Sequence, residues 1–283
     1  MRVAFVGLGH MGGAMAAHVV ASDHELTVCD TRAERVQRLV AAGARAATSP
    51  ADAASGADVV SVVVRDDAQV LAVVAGADGV LTTMRSDSVL AIHSTVTLDC
   101  LRCVDAAATK RGIRVLDAGI SGGVGGAEAG TLLVIAGGAA DTIEAARPAL
   151  TPWASEILHV GPIGAGMAAK VARNFVQYAC FAAVHEAQRL AQAGGVDLDQ
   201  FAHIVRSTEA IDRAAIVLRR GDATPRPSSD LGERAELLVE TAELGFKDLD
   251  VAEAIADELG VELPSLPGAR ASFGPSLGLD VRP

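Results

Sequence analysis

The chain has 283 residues, half of them hydrophobic and 21% charged, which suits one large or two modest domains with a sizeable core and excludes a disordered tail protein. A formal net charge of −11 argues against a nucleic-acid binder, which neutralises phosphates with Lys and Arg, and against docking on an anionic membrane surface. Only 3% of residues are aromatic, too few for a surface that stacks on sugars or bases.

Residues 3–22 carry no Asp, Glu, Lys or Arg and follow Arg2, so they could pass for a secretory signal. Gly7, Gly9, Gly12 and Gly13 interrupt the run, and His10 and His18 sit inside it, which argues for a folded segment. Residues 2–6 read as a strand, 11–20 as a helix, 25–29 as a second strand and 33–42 as an amphipathic helix. Residues 58–64 form a continuous β-branched run, as expected of a strand buried on both faces. Residues 88–92, 113–116 and 132–136 read as further strands separated mostly by helical patterns. Such alternation predicts an α/β fold, a doubly wound and mostly parallel sheet with helices on both faces.

Past Gly161 no further strand is expected. Residues 167–193 read as one long helix ended by Gly194-Gly195, 197–206 and 248–259 as shorter helices, and 219–233 as a mobile loop rich in Pro, Ser and Gly. Residues 269–283 end in Gly- and Pro-broken sequence, so a C-terminal helix there is expected to be shortened. The expected organisation is a dinucleotide-binding domain over residues 1–162 and an all-helical domain over 163–283, joined by the long helix. The four cysteines, Cys29, Cys100, Cys103 and Cys180, are too few for a disulfide-built fold. Cys100 and Cys103 have CxxC spacing but no second pair or His cluster, and read as reduced thiols of a cytoplasmic protein. No metal site is expected.

Gly7-Leu8-Gly9-His10-Met11-Gly12 is a G-x-G-x-x-G motif that follows a predicted strand and opens a predicted helix. Gly7 permits the tight turn, Gly9 lets a pyrophosphate approach the backbone, and Gly12 lets the helix pack closely. Asp30, eighteen residues after Gly12, ends the second strand, where an acid accepts hydrogen bonds from the adenosine ribose hydroxyls. That acid repels a 2′-phosphate and favours NAD; Arg32 offers the alternative of gripping that phosphate in NADP.

Only three of the 24 basic residues are lysines: Lys110, Lys170 and Lys247. Unlike Arg, Lys can lose its proton when its pKa is lowered. Lys110 adjoins Arg111 at a predicted helix end and reads as surface. Lys170 lies in the first turns of the long helix, with Asn174 four residues on along the same face. Arg173 stands three residues from Lys170, where like charge lowers its pKa. Lys170 is a candidate catalytic residue, the alternative being a structural lysine that snorkels.

Together these residues resemble the β-hydroxyacid dehydrogenases, the family of 3-hydroxyisobutyrate dehydrogenase, tartronate semialdehyde reductase and the glyoxylate and succinic semialdehyde reductases. The resemblance covers nearly the whole chain. It rests on the segment from Gly7 to Ala16, on Ser94-Thr95, on Asp117-Ala118-Gly119-Ile120-Ser121-Gly122-Gly123 with Gly126-Ala127 and Gly130-Thr131-Leu132, on Gly164-x-Gly166-x3-Lys170-x3-Asn174, and on Lys247-Asp248-Leu249. It implies a Rossmann-type N-terminal domain, Lys170 as general acid/base and Asn174 as the residue that orients the substrate oxygen. It also implies a substrate loop at Ser121, Gly122 and Gly123 that binds a carboxylate. Thr95 and Lys247 would lie near the cofactor, and Thr31, Val64 and Arg65 complete the expected cofactor contacts. The implied activity is hydride transfer between a nicotinamide and a small 3-hydroxy or 2-hydroxy carboxylic acid, in a cleft between domains.

Departures are Arg173 where the family often has a second Asn, Gly119 where proline is usual, Ile92 followed by His93 where an acid is usual, and Arg65 where an apolar residue is usual. Gln177 stands where related 6-phosphogluconate dehydrogenases have a Glu, which argues against that enzyme. His185 reads as a packed or surface histidine rather than a catalyst, and Trp153 and Tyr178 read as packing residues. The rival readings are an imine reductase, against which the retained Lys170 counts, and a non-catalytic NAD(P) sensor. The expected partner is a small carboxylate, with neither nucleic acid nor membrane. Apolar residues on several sides of the long helix suggest a homodimer or homotetramer.

Overall fold

The computed structural model describes residues 1–208, 210–211 and 225–280. They fall into two compact units, Met1–Asn174 and Phe175–Pro283.

The first unit is built on an eight-stranded sheet. Its strands are β1 (Arg2–Val6), β2 (Glu25–Cys29), β3 (Arg45–Ala46), β4 (Val59–Val62), β5 (Val89–Ile92), β6 (Arg114–Ser121), β7 (Leu132–Gly137) and β8 (Ala154–Gly161). They lie in the order β3-β2-β1-β4-β5-β6-β7-β8. Every neighbouring pair is parallel except β6 and β7. The helices are α1 (His10–Val20), α2 (Ala33–Val40), α3 (Pro50–Ala54), α4 (Asp67–Ala75), α5 (Leu98–Thr109), α6 (Gly123–Ala129) and α7 (Ala140–Leu150). One face of the sheet packs on Met15 and Val19 of α1 and Ile143 and Leu150 of α7. The other packs on Val70 and Val74 of α4 and Leu101 and Val104 of α5. The central strands β4 and β5 are buried at every position, which explains their unbroken apolar runs.

Two differences from the sequence reading have simple causes. Strand β8 was not expected because it is an edge strand, and its mostly exposed, partly polar residues break the apolar signal. The segment Asp117–Ser121, expected as the start of a loop, is strand, since β6 runs on to Ser121 and pairs with β7 throughout.

The long helix α8 (Ala165–Ala193) runs from the first unit into the second. The second unit continues with α9 (Leu198–Ser207), a 3-10 turn (Ser228–Arg234), α10 (Ala235–Leu259) and α11 (Leu266–Leu277). Of the expected loop over 219–233, residues 219–224 lie outside the described residues; the 3-10 turn occupies much of the rest. Helix α10 starts thirteen residues before the expected 248 and passes through Gly245. A Cβ at that glycine would lie 2.0 Å from the Phe273 ring of α11, so the missing side chain is what lets the two helices pack. Helix α11 forms despite Gly268, Gly274 and Pro275, and closes on the left-handed Gly278. Glu186 of α8 accepts hydrogen bonds from the Ser265 amide and hydroxyl before α11. Among the described residues no helix is long and apolar enough to cross a membrane.

Trp153 is fully buried, whereas Tyr178, expected as a packing residue, is 60% exposed on α8. His93, just past β5, is buried against Trp153, edge to face at 5.3 Å. Its Nδ1 lies 2.9 Å from the Ala118 carbonyl and must carry the hydrogen, so Nε2 accepts from the Ser61 hydroxyl at 3.1 Å. Burial pushes the imidazole down to about 4, and it is neutral at pH 7. In the unfolded chain the same ring takes up a proton near pH 6.5. Stability from this group is therefore full above about pH 6.5 and falls by about 3 kcal/mol as pH drops to about 4. Urea unfolding of the wild type and His93→Gln across that range should show the wild type losing stability more steeply. Parallel curves would refute the assignment.

Candidate active site

The strand order reverses direction between β1 and β4, so a crevice opens beyond their carboxyl ends. The glycine loop follows β1 at that point. Gly7 has φ +96°, and a Cβ there would lie 2.3 Å from the Val63 carbonyl oxygen beyond β4. At Gly12 a Cβ would lie 2.1 Å from the Gly7 oxygen. At Gly9 it would meet nothing within 4 Å. Gly7 and Gly12 are thus required by the protein's own packing, while Gly9 faces open space. Helices α3, α4 and α5 are capped by Ser49, Asp66 and Thr97, whereas Gly9 leaves α1 without a side-chain cap. Its first amides are available to an anion at the positive end of the helix. His10 is exposed, and Leu8 is buried in the sheet's core. These features fit a dinucleotide diphosphate.

Asp30 is less free than the sequence suggests. Its side chain is only 6% exposed and pairs with Arg35 at 3.4 Å. One oxygen accepts from the Leu8 amide at 2.6 Å, the other from the Arg32 amide at 2.8 Å. A carboxylate offers about four acceptor positions. Asp30 therefore braces the glycine loop and retains capacity for about one further hydrogen bond. Thr31 and Arg32 are exposed beside it.

The next parallel strands present their ends along the same edge. Beyond β4 the Val64 amide donates to the Ser94 hydroxyl at 2.9 Å, which ties the β4 and β5 ends together and leaves Thr95 exposed. Arg65 is exposed, its amide held by Gln69. At the end of β6 Ser121 is half-buried, and beyond it Gly122 and Gly123 take left-handed φ values of +130° and +66°. A Cβ at Gly123 would meet nothing within 4 Å, so backbone is open to solvent there. His18 of α1 donates from Nε2 toward the Ala127 and Glu128 carbonyls at 3.1 and 3.0 Å, linking α6 to the helix after the glycine loop.

Lys170 is seated by β6 and β7. Asp117 of β6 is fully buried and accepts hydrogen bonds from the Gly164 amide at 2.8 Å and the Met167 amide at 2.6 Å. A Cβ at Gly166 would lie 2.6 Å from both the Gly137 amide and the Ile135 oxygen, so the start of α8 lies directly on the backbone of β7. At Gly119 a Cβ would lie 2.8 Å from the Lys170 Cβ. These contacts hold Lys170 at 9% exposure. Its ammonium has no hydrogen-bond or ion-pair partner among the described residues. Burial lowers its pKa first and the Arg173 charge second, whereas the sequence had pointed only to Arg173. Arg173 Nη1 donates to Asn174 Oδ1 at 3.3 Å, which leaves the amide nitrogen of Asn174 to donate elsewhere.

Asp117 was read in the sequence only as part of a motif; an acid directly after the predicted strand at residues 113–116 was the available signal. Lys247 lies in the second unit, exposed and paired with its neighbour Asp248 at 3.2 Å. The remaining candidates, Gly7 to Gly12, Asp30 to Arg32, Val64, Arg65, Thr95, Ser121 to Gly123, Lys170 and Asn174, all belong to the first unit. Burial raises the Cys100 thiol to about 11, with nearby Asp67 and Cys103 adding to it, so that thiol stays protonated.

A glycine loop at the switch point of a doubly wound sheet defines a dinucleotide-binding protein. Comparison with known proteins narrows the class. The NAD-binding domain of 6-phosphogluconate dehydrogenase matches residues 2–161. An uncharacterized oxidoreductase of Mycobacterium tuberculosis is 35% identical over 98% of this chain and 94% of its own. An NAD-dependent L-serine dehydrogenase of Pseudomonas aeruginosa is 39% identical over 72% of this chain and 69% of its own. The solved 3-hydroxyisobutyrate dehydrogenase of Mycobacterium tuberculosis with L-serine is 29% identical, with TM-score 0.69 over 99% of this chain and 96% of its own. An imine reductase of Streptomyces aurantiacus, 22% identical with TM-score 0.76 over 98% and 96% of the two chains, shares the fold alone. The chain belongs to the β-hydroxyacid dehydrogenase family, with the NAD-binding domain of 6-phosphogluconate dehydrogenase.

The loop geometry separates two substitutions. Gly9→Val should leave the melting temperature within about 2 °C of wild type, since it displaces nothing, yet weaken NAD binding by roughly tenfold or more. Gly12→Ala should lower the melting temperature as well. Thermal scans and NAD titration by intrinsic fluorescence would check both; unimpaired NAD binding in Gly9→Val would remove Gly9 from the phosphate site.

Proposed function

We propose that this protein interconverts a small 3-hydroxy or short 2-hydroxy carboxylic acid and the corresponding semialdehyde or oxo acid, with NAD as hydride carrier. The observation that carries the reading is Lys170, a buried lysine whose ammonium has no partner among the described residues; burial and Arg173 push its pKa down. The L-serine and 3-hydroxyisobutyrate dehydrogenases among its relatives support the substrate class.

When bound, NAD supplies the redox chemistry by accepting or giving up a hydride. The chain's residues hold the reactants and move the proton. The open backbone of Gly9 with the amides at the start of α1, from His10 and Met11 onward, would take the diphosphate. Asp30, with its remaining acceptor position, would take a ribose hydroxyl and disfavour a 2′-phosphate; Arg32 keeps NADP as the alternative. The Ser121 hydroxyl and the exposed backbone at Gly122 and Gly123 suit the substrate carboxylate. Asn174 would orient the reacting oxygen through its free amide nitrogen. During oxidation the neutral amine of Lys170 takes the hydroxyl proton; during reduction its ammonium returns it. Thr95, exposed beyond β5, would lie near the nicotinamide.

We assign the enzyme to the cytoplasm, where its free cysteines stay reduced. We also read it as a homodimer or homotetramer. Phe175, Tyr178 and Phe181 on α8, between 60% and 73% exposed, support an apolar contact there.

NADH absorbance should reveal turnover of one or more acids in a panel that includes L-serine and 3-hydroxyisobutyrate. Lys170→Ala should then cut kcat by roughly a hundred- to ten-thousandfold while NAD binding is unchanged. Full turnover without Lys170 would remove it as the proton carrier.

A further inference from the structure

The geometry points to Asp117 as a positioning residue: by gripping the amides at the start of α8, its carboxylate fixes where Lys170 stands against β6. The inference rests on the reading of Lys170 as proton carrier.

In a strand, alternate residues share a face. Asp117, Gly119 and Ser121 therefore lie along one face of β6, about 13 Å from first to last at the usual rise per residue. Asp117 receives the Gly164 and Met167 amides, Gly119 abuts the Lys170 stem, and Ser121 ends the strand. Met167 and Lys170 are separated by less than one turn of α8. A shift of the helix start therefore reaches the amine with little loss.

Stability alone is a poor explanation for this carboxylate. Asp66 caps α4 from an exposed position, and Ser49 caps α3 from a half-buried one, without burying charge. Asp117 is fully buried, and its desolvation outweighs its hydrogen bonds, so its pKa is raised. What the buried position adds is register. With Gly166 and Gly137 allowing backbone contact, the two amide bonds define a single depth for the helix on the strands. The charged group that acts on Lys170 is Arg173 on its own helix; Asp117 reaches the amine only through the amides at the start of α8.

Asp117→Asn keeps the shape but sets an amide NH2 against one of the two backbone N–H groups, donor against donor. Because the chain has only three lysines, trace acetylation over a pH series, read by peptide mass spectrometry, follows each amine separately. In the wild type Lys170 should label more slowly than exposed Lys110 and Lys247, with a lower midpoint. In folded Asp117→Asn its labelling relative to Lys110 should rise roughly threefold or more and its midpoint should move up toward the ordinary lysine range. Lys247 should not change. On the substrate found, kcat should fall roughly ten- to a hundredfold while KM changes less than about threefold. A folded variant with unmoved Lys170 labelling, or with unchanged kcat, would overturn the inference. If Asp117→Asn does not fold, Asp117→Ser leaves a single short-armed oxygen where two held the amides; unmoved labelling or kcat in that variant overturns the inference equally. Labelling needs no substrate, so it is decided separately from the hydroxyacid reading. Full activity in Lys170→Ala would instead sink the proton-carrier role and leave the seating result standing.

Discussion

The contact on which the site depends is the one between the buried Asp117 carboxylate and the first amides of α8. A helix start has unpaired N–H groups and a positive end, and burying it against a sheet is costly unless an acceptor waits there. Here an ionisable acceptor is buried with it. Glycine at 119, 137 and 166 removes the side chains that would otherwise hold helix and strands apart. A lysine one turn along is then carried into a low-water environment that its own chemistry would not favour.

The second determinant is topological. Because strand order reverses between β1 and β4, loops far apart in sequence meet at one edge of the sheet. The glycine loop, Val64 with Arg65, Ser94 with Thr95, and Ser121 to Gly123 each follow a strand of that parallel set. Polar side chains join the strand ends internally. Ser94 holds Val64, and His93 bridges Ser61 and Ala118. The residues left exposed, Thr95 and Arg65 among them, are those without such a bridging task.

Much of this was legible in the sequence, and the limits have physical causes. The apolar runs of β1, β4 and β5 were visible because both of their faces are buried. The glycine loop was visible because a turn, a close backbone approach and helix packing each demand glycine at fixed spacing. Strand β8 was hidden because an edge strand needs no apolar periodicity. The first half of α10 was hidden because Gly245, which serves helix packing, reads as a breaker in sequence, and α11 looked shortened because Gly274 and Pro275 read the same way. Lys170 stood out through the scarcity of lysine, but its chief perturbation, burial, depends on contacts between residues about fifty positions apart and has no local signature. Asp30 shows the converse: the sequence indicated a ribose partner, and the fold also uses it as a brace for the loop.

Lysine at this position also makes chemical sense against arginine, which the chain uses for nearly all its other positive charge. A proton carrier works best when its pKa lies near the working pH, and arginine does not reach that range. Burial and the neighbouring Arg173 both push Lys170 down. On the proposed reading, a carboxylate held at Ser121 to Gly123 would push it back up by favouring the ammonium. The free enzyme would then hold a readier base, and the substrate complex a better-stabilised acid. The opposed effects keep one amine useful in both directions of the reaction, which a permanently charged guanidinium could not achieve.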